Sequence, residues 1–371
     1  MVNSPEQAAT AAAPYFSVVM PAYNAEAGLR QTVGCVLDQT ERDWELIIVD
    51  NASTDGTGAI ADEFAAADAR VRVLHLGKNG GPAGGRNAGI AQARGSYLWM
   101  PDADDLFDPD LLANARAAIQ GAGFPVDAVL FGYDERYYDD AGCFLYNHEL
   151  PMQAGAYQSP DDWHRLVAGW ERGTHYGYPW NKVYRLGHVR EEGLAFEQVR
   201  LIEDVTFNVG FFQRAGGVVV AAGTPYHYVK REGSSVTNGN AYTAAEYWGL
   251  HQRRIQQLAD QLRSWGVLDE DARGIVGSLY CRFVVSTVMR SFVPGDRWGA
   301  RQRTAWLRQL FNTPLFCELV PAAQASQSRT LALAIRALRA RSVRRVTVIG
   351  HAAYLARGRA YGAFTRIRSG R

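Results

Sequence analysis

Apolar segments of strand length alternate with segments of helical periodicity from residue 15 onward, and no other feature constrains the fold as strongly. After the first apolar run, Leu29, Val33, Val36 and Leu37 recur at the spacing of an amphipathic helix. The predicted strands of this part are Phe16–Met20, Trp44–Asp50, Val71–Leu76 and Ser96–Met100. Strands that alternate with helices build a mostly parallel sheet with helices on both faces, so the predicted fold class is α/β.

The composition and the periodicity of the 371-residue chain change twice along its length, which predicts three parts. Residues 1–14 are rich in alanine and polar side chains and are predicted to form a flexible leader. Residues 15–238 contain the alternating pattern, followed by a mixture of strands and aromatic-rich loops. Residues 239–371 show helical spacing and are predicted to form a mainly helical C-terminal region with a basic tail.

Charge is distributed unevenly, although the net charge is only +1. Residues 321–371 contain 11 Arg and no Lys, Asp or Glu, so the rest of the chain has a net charge of −10. A basic amphipathic helix, suited to an anionic membrane surface, is predicted there from Arg336, Arg339, Arg341, Arg344 and Arg345. A solvated helix face or a disordered tail is the alternative. No nucleic-acid partner is predicted, because the body is acidic and carries no recognition motif.

The four cysteines lie far apart and form no C-x-x-C pair, which argues against a zinc knuckle or a redox pair. The N-terminal residues show no secretory pattern, and no apolar run approaches the ~20 residues of a spanning helix. We therefore expect a cytoplasmic protein, with peripheral attachment to the inner face of the plasma membrane through the basic tail as a further expectation. The helical region is interpreted as a homo-oligomer interface or an acceptor-binding module.

An acidic cluster follows the fourth predicted strand, where Asp102, Asp104 and Asp105 stand together. Ligands of parallel sheets bind beyond the carboxyl ends of the strands, and Pro21 and Asp50 fall at the same edge. Clustered carboxylates repel one another, and a divalent cation relieves the repulsion. Oxygen ligands favour Mg²⁺ or Mn²⁺ over zinc, and such a cation can bridge two phosphates. The alternative is a solvated acidic turn that caps the next helix, with Asp108 as N-cap.

A second acidic pair, Glu203 and Asp204, opens the apolar segment RLIEDVTFNVGFF. A carboxylate at a helix N-terminus is well held and can take a proton from an acceptor hydroxyl. Its other interpretation is complementarity between negative charge and the helix dipole.

Several motifs in this order resemble family 2 inverting glycosyltransferases with the GT-A fold. The first stretch comprises SVVMPAYNAEAGLRQTVGCVLDQT, WELIIVDNASTDGT and NGGPAGGRNAGIAQARGSYLWMPDADD. The later stretch, PWNKVYR with RLIEDVTFNVGFF and GTPYHYVKREGSSVT, is similar to the bacterial surface-polysaccharide and teichoic-acid branch. The resemblance covers about residues 16–237 and implies a Rossmann-like mixed, mostly parallel sheet. The segment VDNASTDGT departs from the pattern at Asn51 and Ala52, where relatives often carry another acid and a Gly or Cys.

The resemblance implies a role for each matching residue. The implied nucleotide-binding residues are Pro21, Ala22, Tyr23, Glu26, Asp50, Arg86, Asn87, Asp102, Arg231 and Ser234. Asp50 would hydrogen-bond the base, Asp102 would contact the ribose, and Asp104, with His227, would ligate Mn²⁺ or Mg²⁺. Asp204 would be the catalytic base, with Glu203 beside it. The segment Trp180, Asn181 and Lys182 would lie near the acceptor, with packing as its alternative role.

The expected activity is transfer of a sugar, as in a hexosyltransferase, from a nucleotide-diphosphate sugar to a hydroxyl acceptor, with inversion at the anomeric carbon. A UDP-sugar is the preferred donor, and a glycan, wall polymer or lipid-linked sugar is the expected acceptor. The first alternative is a non-catalytic nucleotide-sugar-binding scaffold. The second is another nucleotide-dependent transferase, but PAYNAE lacks the glycine-rich loop that nucleotidyltransferases usually carry after the first strand.

Overall fold

A computed structural model describes residues 13–139, 141–199, 201–231, 242–295, 298–325 and 328–368. These residues form two compact units. The first comprises the described residues up to Ser159 together with Tyr178–Glu203 and Gly210–Lys230. The second comprises Pro160–Gly177, Asp204–Val209 and the described residues from Arg231 onward. The predicted helical region therefore shares its unit with two short stretches from earlier in the chain.

The first unit is built on an eight-stranded, mixed sheet in the order β3-β2-β1-β4-β10-β6-β11-β9. Its strands are β1 (Phe16–Ala22), β2 (Trp44–Asp50), β3 (Val71–His75), β4 (Tyr97–Trp99), β6 (Val126–Leu130), β9 (Gly155–Tyr157), β10 (Lys182–Arg185) and β11 (Gly217–Val220). The neighbouring strands β3, β2, β1 and β4 are all parallel, and β10 pairs antiparallel with both β4 and β6. The predicted α/β class is thus confirmed, and β10 is a strand that the sequence did not predict.

Near-continuous apolar runs in β1 and β2 fit their position as interior strands, each with a neighbour on both sides. Every residue of WELIIVD in β2 is buried, as expected for a strand that is covered on both faces. The covering helices are α1 (Glu26–Leu37), α2 (Thr57–Ala67), α3 (Gly81–Gln92), α4 (Leu111–Gly121) and α7 (Leu186–Glu191).

Helix α3 begins at Gly81, inside the glycine-rich segment GKNGGPAGGRN. Its glycines let it approach the sheet closely: a Cβ atom on Gly89 would lie 2.3 Å from Val19 Cγ1, and one on Gly85 would lie 2.8 Å from Pro21 Cβ. The glycine-rich segment is therefore a helix that packs on β1, rather than a phosphate-binding loop of the P-loop type.

A second, four-stranded sheet of the same unit has the order β5-β12-β7-β8. Its strands are β5 (Leu106–Phe107), β7 (Tyr133–Tyr138), β8 (Phe144–Leu150) and β12 (Tyr226–Arg231). The strand β5 directly follows the acidic cluster, and it pairs antiparallel with β12 through Phe107 and Tyr226. This pairing places the acidic cluster beside β12.

The second unit is helical. Its helices are α5 (Pro160–Trp163), α6 (Val167–Arg172), α9 (Ala244–Ser264), α10 (Glu270–Arg290), α11 (Ala300–Leu310), α12 (Pro314–Leu319), α13 (Arg329–Arg339) and α14 (Val343–Arg368), with a 3-10 turn at His164–Leu166. The helix α8 (Glu203–Phe212) has residues in both units. Helix α9 begins with a capping box between Thr243 and Glu246, and α10 is capped by Asp269. No helix of the described residues is both long and apolar enough to cross a membrane.

The basic segment does not form the single helix that was predicted over residues 336–345. Helix α13 ends at Arg339, Arg341 has a φ of 46°, and α14 begins at Val343. A left-handed backbone at Arg341 cannot continue a helix, so two helices carry the basic residues. The face of α13 that contains Ile335 and Leu338 is buried, whereas Arg336 is exposed.

Candidate functional site

Polar residues lie at or just beyond the carboxyl ends of parallel strands, at one edge of the large sheet. Ala22, at the end of β1, is in register with Asp50 at the end of β2. Val18 of β1 is in register with Trp99, the last residue of β4. Asp102 follows three residues after Trp99, beyond the carboxyl end of β4. Carboxyl ends of parallel strands are where such sheets bind ligands, and this edge is the candidate site.

Asp50 is buried at this edge with its carboxylate held on both oxygens. Its Oδ1 accepts a hydrogen bond from the Ser53 backbone amide at 3.0 Å, and its Oδ2 lies 2.9 Å from His75 Nδ1. The other ring nitrogen of His75 lies 3.0 Å from Asp62 Oδ1. Burial alone would raise the pKa of Asp50, but the bonds from Ser53 and His75 outweigh it and the pKa is lowered. Asp50 is therefore held as a charged acceptor.

Tyr23 and Glu26 flank the first strand end. The side chain of Tyr23 is exposed, so its ring is available to a ligand. Glu26 Oε2 accepts a hydrogen bond from the Gly56 amide at 3.0 Å, and the Glu26 amide donates to Asp55 Oδ2 at 3.3 Å. Glu26 thus fixes the turn after β2 against the start of α1. The sequence predicted a nucleotide contact for Glu26 but not this positioning role.

Arg86, which is buried, and Asp102, which is half-buried, form an ion pair at the edge. Arg86 is only 2% exposed, and its Nη2 donates to Asp102 Oδ1 at 2.8 Å. The guanidinium lies 5.2 Å from the centroid of the Phe196 ring. A planar guanidinium is suited to binding phosphate oxygens as well as carboxylates.

Glu203, the first residue of α8, lies within the electrostatic reach of this pair. Burial raises the pKa of Glu203, and the charge of Asp102 adds to this effect while that of Arg86 opposes it. Its Oε2 is buried and accepts no hydrogen bond from the residues that the structure describes. Asp204, the next residue of the helix, is half-buried.

The three aspartates of the acidic cluster have different surroundings. Asp102 is half-buried beside Arg86, Asp104 is exposed, and Asp105 is fully buried. Asp105 Oδ2 accepts from the Tyr226 hydroxyl at 2.6 Å, and Asp105 Oδ1 accepts from the Val229 amide at 2.8 Å. Burial, together with the charges of Asp104 and Asp102, holds the pKa of Asp105 well above its usual range. Asp105 therefore anchors the loop to β12, and Asp104 is the carboxylate turned outward.

The predicted role of Asn87 beside the base and phosphates differs from what the structure shows. Its Nδ2 donates to the Phe196 carbonyl at 2.8 Å, and its Oδ1 accepts from the Phe196 amide at 2.8 Å. Since both ends of the amide are used, Asn87 clamps the segment that carries Phe196 beneath Arg86. It is a positioning residue in this arrangement.

His227, which the resemblance predicts as a metal ligand with Asp104, lies between two other carboxylates. It is 6% exposed, with Nδ1 2.8 Å from Asp134 Oδ1 and Nε2 3.0 Å from Asp108 Oδ1. Both ring nitrogens are occupied by carboxylates, so neither is presented to a cation. The same bonds correct the prediction that Asp108 caps α4, because Asp110 holds the cap position without a side-chain hydrogen bond.

Trp180, Asn181 and Lys182 are buried, so the structure supports the packing alternative rather than direct acceptor contact. Trp180 stacks on Tyr226 with ring centroids 4.4 Å apart, and its carbonyl accepts from Trp99 Nε1 at 2.8 Å. Asn181 Nδ2 donates to the Phe131 carbonyl at 3.2 Å. Lys182 Nζ donates to Asn181 Oδ1 at 2.7 Å and to the Tyr178 carbonyl. These residues connect β10 to the strands on either side of it.

Two predicted residues lie at or beyond the end of β12. Arg231 is the last residue of that strand and is exposed. Ser234 lies outside the described residues.

Sequence reasoning missed His75, Tyr226 and Phe196 as members of the site. His75 is the exposed last residue of β3 and is in register with Asp50. This register is the signal from which a role for His75 could have been predicted. Tyr226 and Phe196 contact residues more than 100 positions away, which no local pattern reveals.

The donor set at the edge fits a divalent cation that is shared with a ligand. No group of three or more His, Cys, Asp or Glu side chains suited to a metal occurs within the described ranges. Mg²⁺ is usually bound by one or two carboxylates, waters and substrate phosphates, rather than by an all-protein cage. An exposed Asp104 beside a partly exposed Asp102 meets that requirement.

Residues 17–191 match the sequence model of glycosyl transferase family 2. This part of the chain belongs to that family. Among curated proteins, the chain is 32% identical to the putative glycosyltransferase EpsH of Bacillus subtilis over 58% of its own length and 60% of the relative. It is 29% identical to the uncharacterized glycosyltransferase EpsJ of the same organism over 66% and 67%. The putative teichuronic acid biosynthesis glycosyltransferase TuaG is 34% identical over 34% of this chain and 57% of the relative. The chain thus spans about 57% to 67% of the length of these relatives.

Among solved structures, the fold of the chain is similar to that of S. aureus TarS. The TarS structure with UDP-GlcNAc superposes with a TM-score of 0.63 at 18% identity, covering 92% of each chain. The structure of TarS residues 1–349 with UDP gives a TM-score of 0.61 at 17% identity, covering 92% of this chain and 91% of that fragment. At this identity the likeness concerns the fold, and it confirms the predicted GT-A fold with an added helical region.

Proposed function

We propose that this chain transfers a sugar from a nucleotide-diphosphate sugar, with a UDP-sugar as preferred donor, to a hydroxyl of a glycan, wall-polymer or lipid-linked acceptor. The observation that carries the proposal is the ion pair of buried Arg86 with half-buried Asp102, with Glu203 within its electrostatic reach and Asp104 exposed in the same loop. This group stands at the carboxyl edge of the sheet in a chain whose residues 17–191 belong to glycosyl transferase family 2.

The nucleoside is proposed to bind at the ends of β1 and β2. Asp50 is held as a charged acceptor by Ser53 and His75, so it can accept a hydrogen bond from an N–H group of the base. The exposed ring of Tyr23 supplies a surface for stacking, and Pro21 and Ala22 form the floor between them. Asp102 can accept from a ribose hydroxyl with the carboxylate oxygen that does not bind Arg86.

The diphosphate is proposed to bind beside Asp104. Asp104, with Asp102, would hold Mn²⁺ or Mg²⁺, which when bound neutralises the charge that develops on the departing diphosphate. Arg86 offers guanidinium donors from a buried, fixed position, so it can hold the phosphate oxygens without paying much rotamer entropy. Arg231, exposed at the end of β12, is proposed as a further phosphate-binding cation, together with Ser234.

The chemical step is proposed to use the carboxylates at the start of α8. Asp204 accepts the proton of the acceptor hydroxyl, whose oxygen attacks the anomeric carbon as the bond to the diphosphate breaks. Attack from the opposite face inverts the configuration, so an α-linked donor gives a β-linked product. Glu203 is a second, partly buried carboxyl beside Asp204; burial raises the pKa of Glu203, the charge of Arg86 opposes this rise, and the charge of Asp102 adds to it.

The acceptor class is proposed from the relatives. The name of TuaG refers to teichuronic acid biosynthesis, which supports a wall polymer or another surface glycan as acceptor. A lipid-linked acceptor would lie at a membrane surface, so we propose a cytoplasmic protein with peripheral membrane contact. Exposed Arg336, Arg344 and Arg345 on α13 and α14 are the basic residues that would meet anionic lipid.

The experiment that tests the proposal is a panel of UDP-, dTDP- and GDP-sugars scored for nucleotide release by the full chain with Mn²⁺ and with Mg²⁺. Release from at least one donor, abolished in Asp104→Asn and retained in Asp110→Asn, is the expected result. Asp110 is an exposed aspartate of the same stretch and serves as a matched control. A folded protein that binds donors but releases nucleotide from none, with a surface-glycan acceptor mixture present, would favour the scaffold alternative.

A further inference from the structure

His75 lies between two carboxylates at the rim of the proposed nucleoside site. Its Nδ1 is 2.9 Å from Asp50 Oδ2, and its Nε2 is 3.0 Å from Asp62 Oδ1. The three residues come from β2, β3 and α2, and Asp50 and His75 are register partners on adjacent parallel strands. The register of the sheet therefore fixes the distance between them.

The space around this contact is tightly shaped. A Cβ atom on Gly58 would lie 2.9 Å from Asp50 Oδ2 and 3.4 Å from His75 Cε1, so a side chain at this position would displace the Asp50 carboxylate. Asp50 is 7% exposed, whereas the His75 side chain is 48% exposed. The imidazole thus covers one oxygen of Asp50 from the solvent side, and the Ser53 amide holds the other oxygen.

We propose that His75 is a positioning residue for the nucleobase: as an imidazolium that donates to both Asp50 and Asp62, it fixes the Asp50 carboxylate in the orientation that accepts an N–H of the base. This inference rests on the proposed function. A neutral imidazole has a single N–H and can donate to only one of the two carboxylates. The loss of its proton therefore releases one end of the Asp50–His75–Asp62 arrangement.

The charges around the ring favour the protonated form. The groups that face His75 from the elements packed against it are Asp50 of β2 and Asp62 of α2. Their hydrogen bonds, Asp50 first and Asp62 second, raise the pKa of His75 above its usual value of 6.5. The ring is then protonated below pH 6.5 in any state, and the folded protein loses the proton only as the pH rises through the raised pKa. Nucleotide binding is expected to weaken over that rise.

The test is calorimetry of the full chain with Mn²⁺ and UDP, and with dTDP and GDP, between pH 6.5 and 8.5. Inorganic pyrophosphate with Mn²⁺ is the second probe, because it has phosphates but no base. His75→Gln is expected to weaken UDP binding about 3- to 10-fold at pH 6.5, the range for one lost hydrogen bond, and to leave pyrophosphate binding unchanged. The wild-type loss of UDP affinity with rising pH should be absent in this variant.

Two further variants sharpen the result. Asp62→Asn keeps the imidazole but removes one of the carboxylates that raise its pKa, so the pH at which UDP binding weakens should move downward. His148→Gln removes a histidine that is 62% exposed and only 3.8 Å from Glu135 Oε2, and it should behave as wild type. If His75→Gln fails to fold, the shift in Asp62→Asn tests the inference by itself.

Equal UDP affinity and pH dependence in wild type and His75→Gln would overturn the inference, as would a parallel loss of UDP and pyrophosphate binding. Failure of the proposed function has a different signature: the folded wild type would bind none of the three nucleoside diphosphates. Asp50→Asn separates the remaining case. If it weakens UDP binding while His75→Gln does not, the base contact stands and the role of His75 falls.

Discussion

The hydroxyl of Tyr226 donates to Asp105 Oδ2 at 2.6 Å and accepts from the Asp102 amide at 3.2 Å, so one side chain of β12 holds both ends of the acidic loop. The Tyr226–Asp105 bond is in the interior, because both residues are fully buried. The geometry of the loop that presents Asp104 therefore depends on a residue more than 100 positions away.

Tyr226→Phe is expected to lower the free energy of unfolding by about 1–3 kcal/mol, since a buried carboxyl loses a hydrogen-bond donor. Urea unfolding followed by circular dichroism measures the change. Tyr23→Phe, on an exposed ring, should stay within about 0.5 kcal/mol of wild type in the same experiment. A stability of Tyr226→Phe equal to that of wild type would show that the anchor is unnecessary.

Asp104→Asn is expected to remove the effect of Mn²⁺ on UDP binding, because the exposed carboxylate is the proposed cation ligand. Calorimetry with UDP, with and without Mn²⁺, gives the measurement. Asp110→Asn is the control and should keep the full Mn²⁺ dependence. An Asp104→Asn variant that still binds UDP in a Mn²⁺-dependent manner would move the cation elsewhere.

Asp204→Asn should reduce turnover at least ~100-fold, because general-base assistance typically contributes that much or more. Donor binding should survive, since the proton acceptor is needed only in the chemical step. Single-turnover transfer assays alongside UDP calorimetry separate these two effects. Unchanged turnover would remove Asp204 from the role of base.

Glu203→Gln is expected to alter the pH profile of kcat/KM. Burial raises the pKa of Glu203 above its usual 4.5, so the wild-type carboxylate becomes charged only at a higher pH than an exposed glutamate does. Activity that needs this charge should rise with pH above 4.5, and the glutamine variant should lose that acid limb. A profile that is identical in shape and position would indicate that the ionisation of Glu203 does not contribute.

A double variant, Arg344→Gln with Arg345→Gln, is expected to weaken sedimentation with anionic vesicles about 30-fold, which corresponds to about 1 kcal/mol for each arginine near the surface. Both side chains are exposed, so the substitutions leave the packed face of α14 intact. Truncation before α13 is less suitable, because it would remove the buried Ile335 and Leu338. The paired control, Arg301→Gln with Arg308→Gln on α11, removes the same charge. Equal loss in both pairs would point to net charge rather than to a membrane-binding face.

The amino-acid sequence by itself determined the order of strands and helices around the site. The apolar run of β2 and its closing Asp50, the acidic cluster after β4 and the acidic start of α8 were all predicted at these positions. These features are local, because side-chain periodicity and a change from apolar to charged residues act within a few residues. The alternation of elements then implied that the strand ends meet at one edge.

Only the tertiary structure decided which side chain serves which purpose at that edge. Asp104 and Asp105 are adjacent and chemically identical, yet one is exposed and the other is buried against Tyr226. Asn87 was predicted at the nucleotide and holds Phe196, and His227 was predicted at a cation and lies between Asp134 and Asp108. Partners so far apart in sequence meet through strand pairing and helix docking, which a local pattern cannot specify, because the energy of a polar group depends on what burial places beside it.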